Sequence, residues 1–190
     1  KTTAKKRKTK TATIDINQAA ITSLPLNKMT KNFAYLFLGL LVVLLVSSCD
    51  KTRVYEENHE MKERGWYIDS LQRFSFQIND ASKPYNVFIN IRNSDQYPYY
   101  NLFLRYYLTD SLGNELKSQQ LELMLMDAKT GKPQGTGLGD IFNHQFNLLH
   151  GFRFPNSGTY TIMLKQYMRQ DPLPNIYSVG VRVEDSGMKK

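Results

Sequence analysis

Apolar and polar side chains alternate in several short stretches from residue 66 onward. Apolar side chains occupy every second position in 74–78, 87–91 and 179–183. A period of two predicts strands that bury one face and expose the other. Similar stretches predict further strands at 102–108, 116–126, 152–154 and 159–166.

Turn-forming residues separate these predicted strands. Segments rich in Gly, Pro, Asp, Asn and Ser lie at 80–84, 110–114, 130–133 and 155–158 and favour turns. About eight short strands without a long helical pattern favour an all-β fold, a single antiparallel β-sandwich over residues 65–185. The pattern leaves a jelly-roll and an immunoglobulin-like strand order open. Residues 186–190 are predicted to be a disordered tail.

A continuous apolar stretch, residues 33–46, precedes the alternating region. Its 14 residues are fewer than the roughly 20 that a helix needs to span a bilayer. Two lysines lie shortly before it and two small serines follow it. This order is typical of a signal peptide, which we assign to residues 29–48 at the N-terminal side of the sandwich.

Residues 1–28 are rich in Lys and Thr and poor in aromatic side chains, a composition that favours disorder. Met29 with the residues after it already forms a complete signal peptide. We therefore interpret residues 1–28 as an untranslated or disordered basic extension.

Cys49 is the one cysteine of the chain, so it cannot form an internal disulfide. The tetrad Val46-Ser47-Ser48-Cys49 resembles the lipobox of bacterial lipoproteins. The resemblance implies that the thiol of Cys49 receives a diacylglyceryl group, that the chain is cut before it, and that the new amine is acylated, with palmitate for example. Several acyl chains anchor a protein stably to membrane lipid. Residues 49–64 are charged and lack alternation, so we interpret them as a tether that lifts the domain off the lipid.

The net charge of +8 does not belong to the predicted domain. Residues 1–48 hold eight basic side chains against one acidic, and the remaining residues hold 17 basic and 16 acidic. Because the basic excess is confined to the leader, we expect no nucleic-acid partner.

Four segments together resemble the gliding-motility lipoprotein family GldH of Bacteroidetes: residues 49–55, 84–93, 95–104 and 135–141. The later segment 154–160 also fits, and the resemblance extends from Cys49 to about residue 184. It implies a lipoprotein that supports gliding and the type IX protein secretion system by contact with other envelope proteins. It favours the outer membrane and leaves open whether the domain faces the periplasm or the outside.

The segment Gly135-Thr136-Gly137-Leu138-Gly139-Asp140 has GxGxG spacing, which differs from the GxGxxG of dinucleotide-binding loops. We expect no bound cofactor here. Gly135, Gly137 and Gly139 are predicted to serve a loop with positive φ or close backbone approach. Together with Asp140 they are also candidate partner contacts.

An aromatic block surrounds Pro98, with Tyr97, Tyr99 and Tyr100 as its candidate contact residues. One interpretation is that alternate members of the block fill the core. The other is that exposed rings dock a protein partner or stack on a glycan. A carbohydrate-binding β-sandwich lipoprotein is accordingly the alternative function.

The remaining candidate catalytic and metal-binding residues give no indication of an enzyme, so we predict a non-enzymatic protein. His59, His144 and His150 lack the spacing of a metal site, and His144 and His150 fall on a predicted loop. No Gly-x-Ser-x-Gly nucleophile motif is present. Glu56 and Glu57 fall in the predicted tether, where solvated carboxylates are expected. We therefore assign no catalytic and no metal-binding residue.

Overall fold

The computed structural model describes Tyr35 and residues 52–187. The chain divides into two compact units, Lys1–Cys49 and Asp50–Lys190. The predictions for the basic extension, the signal peptide and Cys49 therefore lie outside the described residues, as do the last three residues of the predicted tail.

Residues 52–187 of the second unit contain eleven strands and one short 3₁₀ turn. They are β1 (Arg53–Glu60), the 3₁₀ turn (Lys62–Arg64), β2 (Gly65–Trp66), β3 (Gln72–Ile78), β4 (Tyr85–Ser94), β5 (Asn101–Thr109), β6 (Glu115–Met124), β7 (Thr136–Leu138), β8 (Ile141–Phe152), β9 (Gly158–Gln166), β10 (Leu173–Pro174) and β11 (Ile176–Asp185).

Two antiparallel sheets make up the sandwich. The larger has the order β1-β11-β4-β8-β7 and the smaller the order β3-β9-β5-β6, while β2 and β10 form a separate two-stranded ladder. The first strand thus pairs with the last, with Arg53 opposite Glu184. The prediction of an all-β antiparallel sandwich is confirmed.

The core lies between the inner faces of the two sheets. From the larger sheet, the alternating positions Val87, Ile89 and Ile91 are all buried. They belong to one cluster with side chains of the smaller sheet such as Phe74 and Ile162. The apolar positions of each alternating stretch therefore lie on the face of the strand that packs against the other sheet.

The predicted tether is wrong for residues 53–60, which form β1 at the edge of the larger sheet. The inward positions of β1, set by pairing with the valines of β11, are Tyr55, Glu57 and His59. The ring of His59 stacks on Phe74 with centroids 4.4 Å apart. Because these inward side chains are polar or amphipathic, the strand shows no apolar alternation.

The predicted loop around His144 and His150 is also wrong, because both residues lie on β8. Phe142, His144 and Phe146 share one face of this strand, which an irregular register near residue 148 then interrupts. The separate strand predicted at 152–154 is the end of β8 at Phe152.

Candidate functional site

The glycine-rich candidate segment forms a hairpin between β7 and β8. Leu138 pairs with Ile141, so Gly139 and Asp140 are the two turn residues. Gly139 has φ +72°, as the first residue of a two-residue hairpin turn often does. The segment was predicted as a loop, but its residues 136–138 are a short strand.

Close backbone approach explains the other two glycines. A Cβ at Gly135 would lie 2.5 Å from the carbonyl oxygen of Asn143 and 2.8 Å from the ring of His144. A Cβ at Gly137 would overlap the carbonyl oxygen of Ile141. Packing against β8 therefore requires glycine at both positions, and this requirement does not depend on whether the hairpin contacts a partner.

A backbone hydrogen bond joins this hairpin to the aromatic block. The amide of Asp95 donates to the carbonyl oxygen of Asp140 at 2.9 Å. Ser94, the last residue of β4, pairs with Ile141, the first residue of β8. The two segments that were separate candidates in the sequence therefore adjoin at one end of the sandwich.

The three candidate tyrosines differ in exposure. Tyr97 is only 3% exposed, and its hydroxyl donates to the carbonyl oxygen of Asn101 at 2.9 Å. Burial raises the pKa of Tyr97, which favours the neutral phenol. The prediction of a partner contact is therefore wrong for the Tyr97 side chain, which is a core residue.

Tyr99 is half-buried and Tyr100 is 49% exposed. The Tyr99 hydroxyl donates to the side-chain oxygen of Gln170 at 2.9 Å. The rings of Tyr97 and Tyr99 meet edge to face, with an interplanar angle of 71°. These rings do not form a flat platform for stacking a sugar, so the original basis of the glycan alternative is lost.

Leu138 is the most exposed apolar side chain of this end of the molecule, at 94%. We refer to Leu138 and Asp140 of the hairpin, together with Tyr99 and Tyr100 of the β4–β5 connection, as the corner surface. The β7–β8 hairpin turn and the β4–β5 connection, which crosses from the larger to the smaller sheet, are joined by the backbone hydrogen bond from Asp95 to Asp140. Such a surface offers one aliphatic and two aromatic groups to a partner.

Glu56 and Glu57, predicted to be solvated, lie on opposite faces of β1. Glu56 accepts hydrogen bonds from Arg53 at 3.0 Å and from Arg182 at 2.8 Å. Burial acts to raise the pKa of Glu56, but these two arginines outweigh it and the pKa lies below its usual value. The prediction of free carboxylates is wrong for Glu56, which is part of a charge network on the sheet.

The histidines occupy different parts of the sandwich. His59 contacts Gln72 through Nδ1 at 2.9 Å and Glu57 through Nε2 at 3.1 Å. His144 is buried, and burial lowers its pKa. His150 is exposed on β8. Within residues 52–187 and at Tyr35, no three His, Cys, Asp or Glu side chains are grouped as they would be around a metal ion.

No helix in the part of the chain that the structure describes is long and apolar enough to cross a membrane.

The fold defines an antiparallel β-sandwich domain, and the corner surface leaves apolar side chains exposed at one end of it. The chain belongs to the GldH lipoprotein family, whose model matches residues 53–183. This family is linked to gliding motility, and membership implies a lipid-anchored location at the cell envelope. The sequence resemblance to this family is therefore confirmed.

Two relatives cover most of the chain. A gliding motility lipoprotein GldH homolog from Christiangramia forsetii is 36% identical over 157 residues, which are 79% of this chain and 94% of that protein. The gliding motility lipoprotein GldH of Flavobacterium johnsoniae is 32% identical over 152 residues, 76% of this chain and 92% of that protein. The solved VP2 subviral particle of infectious bursal disease virus is 11% identical with a TM-score of 0.33, covering 72% of this chain and 32% of that one, too remote to inform function.

The sequence did not predict that two groups of polar side chains share one surface. Asn58 and Glu60 fell in the predicted tether, and Asn143 and Gln145 fell in the predicted loop. The structure brings them onto one face of the larger sheet, next to Arg92. Alternation of Asn143, Gln145 and Asn147 with Phe142, His144 and Phe146 was the signal that could have identified β8.

Proposed function

We propose that this chain is a lipid-anchored, non-enzymatic accessory protein of the gliding motility and type IX secretion machinery, acting through protein contacts at the envelope. Its anchor is acylated Cys49, and its membrane is the outer membrane. The observation that carries the contact model is the bond between Asp95 and Asp140, which makes one surface from two family-like segments.

The exposed apolar groups of the corner surface support contact as the mode of action. Leu138 lies almost wholly in solvent at a hairpin end, so it contributes little to the core. Exposed aliphatic and aromatic groups held on a rigid backbone are the kind of anchor that carries most of the energy in protein interfaces. The partner is another envelope protein of the same machinery.

Labelling with palmitate tests the anchor. Cys49→Ser should abolish incorporation of labelled palmitate, because the thiol is the first lipid acceptor on the lipoprotein route. Ser47→Ala keeps a small residue in the lipobox and should label as the unchanged chain does. Label that still enters Cys49→Ser would show that the lipobox assignment is wrong.

The corner surface offers a matched pair of substitutions. Leu138→Asp at this end should reduce cargo secretion and spreading at unchanged protein level, because it places a charge in the contact. Leu112→Asp is the control, since Leu112 is 85% exposed in the turn after β5, at the opposite end of that strand. Both changes are made at exposed sites, so neither should unfold the domain.

Two results would contradict the contact model. One is equal secretion from Leu138→Asp, Tyr100→Ala and Leu112→Asp. The other is a single His, Asp or Glu outside the corner surface whose alanine variant abolishes secretion at normal abundance, which indicates chemistry at one group.

A further inference from the structure

An open cleft of about 750 Å³ lies on the larger sheet. Strand register places its polar residues in two rows on the outer face of that sheet. The first row runs through Glu60, Ser178, Arg92, Asn143 and Thr136, and the second through Asn58, Gly180, Asn90 and Gln145. Neither the family match nor the contact model assigns a role to this cleft.

Gly180 lies between Asn58 and Asn90 in the second row. A Cβ at this position would overlap the Oδ1 of Asn58 and lie 2.6 Å from the carbonyl oxygen of Glu57. Without a side chain on β11, Asn58 can reach across that strand to Asn90, whose Nδ2 donates to the Asn58 Oδ1 at 3.3 Å. The contact between Asn58 and Asn90, whose strands are separated by β11, therefore requires glycine at position 180.

These amides orient one another. The Nε2 of Gln145 donates to the Oδ1 of Asn90 at 3.2 Å, and the Nδ2 of Asn90 also donates to Glu56 at 3.1 Å. The Nδ2 of Asn58 and the Oε1 of Gln145 have no hydrogen-bond partner among the described residues. The row therefore presents one fixed donor group and one fixed acceptor to the cleft.

Arg92 is a cation without a counterpart in the described part of the chain. Its Nε is screened from solvent and makes no hydrogen bond there. Glu60 is two strands away, about 10 Å at the usual strand spacing, and Glu56 is already held by Arg53 and Arg182. A half-buried guanidinium with free donors in a planar fork fits a carboxylate or another planar anion.

We propose that this cleft binds an acidic oligosaccharide, with the sugar carboxylate on Arg92 and ring hydroxyls on the side chains of Asn58, Gln145 and Asn143. Hydroxyl groups donate and accept, which matches the mixture of amide donors and acceptors in the two rows. The unused polar groups lie on the sheet face and not along a strand edge, which favours a sugar over an added peptide strand. This inference is independent of the protein contacts proposed above.

Calorimetric titration of the full chain in detergent tests the proposal. The probes are tetragalacturonic acid, its fully methyl-esterified form, and an extended acidic peptide of similar length. We expect the acid to bind and the ester to bind at least tenfold more weakly, because only the acid offers a carboxylate to Arg92. Hydrogen bonds to charged groups are strong enough to give a difference of this size.

Three variants sharpen the test. Arg92→Met and Arg92→Lys should each lose at least tenfold in affinity for the acid, the lysine because it lacks the fork. Asn58→Ala should weaken both sugars alike. Arg73→Met is the control, since Arg73 lies on the outer face of the smaller sheet, and it should leave binding unchanged.

Thermal melting shows whether each variant is folded. If Arg92→Met does not fold, the test uses Arg92→Lys and Asn58→Ala instead. The proposal is overturned if neither sugar binds at millimolar concentration, if acid and ester bind equally, or if the peptide alone binds. It is also overturned if folded Arg92 variants bind the acid as tightly as the unchanged chain does.

Discussion

The outer faces of the two sheets satisfy their polar groups in different ways. On the smaller sheet, directly opposed residues pair with each other, as in the 2.9 Å contact between Ser75 and Thr161 and the 2.8 Å bond from Thr159 to Gln77. On the larger sheet, Asn58 reaches across a glycine to a strand beyond its neighbour, and the Nε of Arg92 makes no hydrogen bond within the described residues. The Nε of Arg105 on the smaller sheet makes none either, but that guanidinium lies over the ring of Tyr107 at 5.4 Å.

This difference separates a surface that supports the fold from one that is available to a ligand. Cross-strand pairs of short side chains use their hydrogen-bonding groups locally and add modestly to stability. Long amide and guanidinium side chains with unused groups leave that capacity for a ligand. The inner faces show no such contrast, because both bury mainly apolar side chains in one shared cluster.

Core truncation should affect both sheets alike and have the largest effect. Ile89→Ala in the larger sheet and Ile162→Ala in the smaller remove fully buried side chains. We expect each to lower the free energy of unfolding by about 2–5 kcal/mol through lost burial and cavity formation. Urea denaturation measures this, with Leu112→Ala as the exposed control. A loss below about 1 kcal/mol in either sheet would contradict a shared core.

Filling the glycine gap should distinguish the outer faces. Gly180→Ala should cost about 1–3 kcal/mol of unfolding free energy, because the new Cβ overlaps Asn58 and the backbone at Glu57. Thr161→Ala on the smaller sheet should cost no more than about 1 kcal/mol. Denaturant midpoints measure both.

A second substitution separates the two causes of the Gly180 effect. Asn58→Ala combined with Gly180→Ala should recover part of the loss, since the Asn58 side chain is gone while the Glu57 carbonyl oxygen remains. Full recovery would locate the whole effect in the Asn58 side chain and leave the backbone of β1 without a role. No recovery would locate it in the backbone alone.

The smallest expected effect is the change of folding stability with pH that is caused by His144 on β8. Burial lowers the pKa of His144 below its usual 6.5. The unfolded chain therefore binds a proton at this residue more readily than the folded one does, and stability should decline as the pH falls below 6.5. His144→Phe should reduce that decline, measured as urea midpoints between pH 7.5 and 5. An identical pH profile for His144→Phe would contradict the assignment.

Much of this fold follows from alternation, and the exceptions have physical reasons. The apolar positions of β3, β4 and β11 face the other sheet as predicted. β1 was missed because its inward residues are Tyr55, Glu57 and His59. The orientation of Tyr97 was open because an aromatic side chain is compatible with a buried or an exposed position. In the structure it lies in the core and donates to the carbonyl oxygen of Asn101.

The candidate surfaces were harder to predict, because each depends on pairing between distant segments. The hairpin glycines and the aromatic block were recognised separately, but their junction at Asp95 and Asp140 depends on the register of β4 with β8. Asn58, Arg92 and Gln145 are far apart in the sequence and meet only through the order β1-β11-β4-β8. No local pattern contains that order.

The pairing of the first strand with the last has a consequence for folding. β1 emerges before the other described strands of the domain, yet its hydrogen-bonding partner β11 ends at Asp185, at the far end of the domain. The entropy cost of closing such a long loop arises before the contacts that compensate for it have formed. Folds dominated by distant pairings are therefore slow to form. Until β11 arrives, β1 is an unpaired strand edge, which is prone to aggregation. The edge of β1 that pairs with β11 is therefore covered only after the last strand of the domain has been delivered.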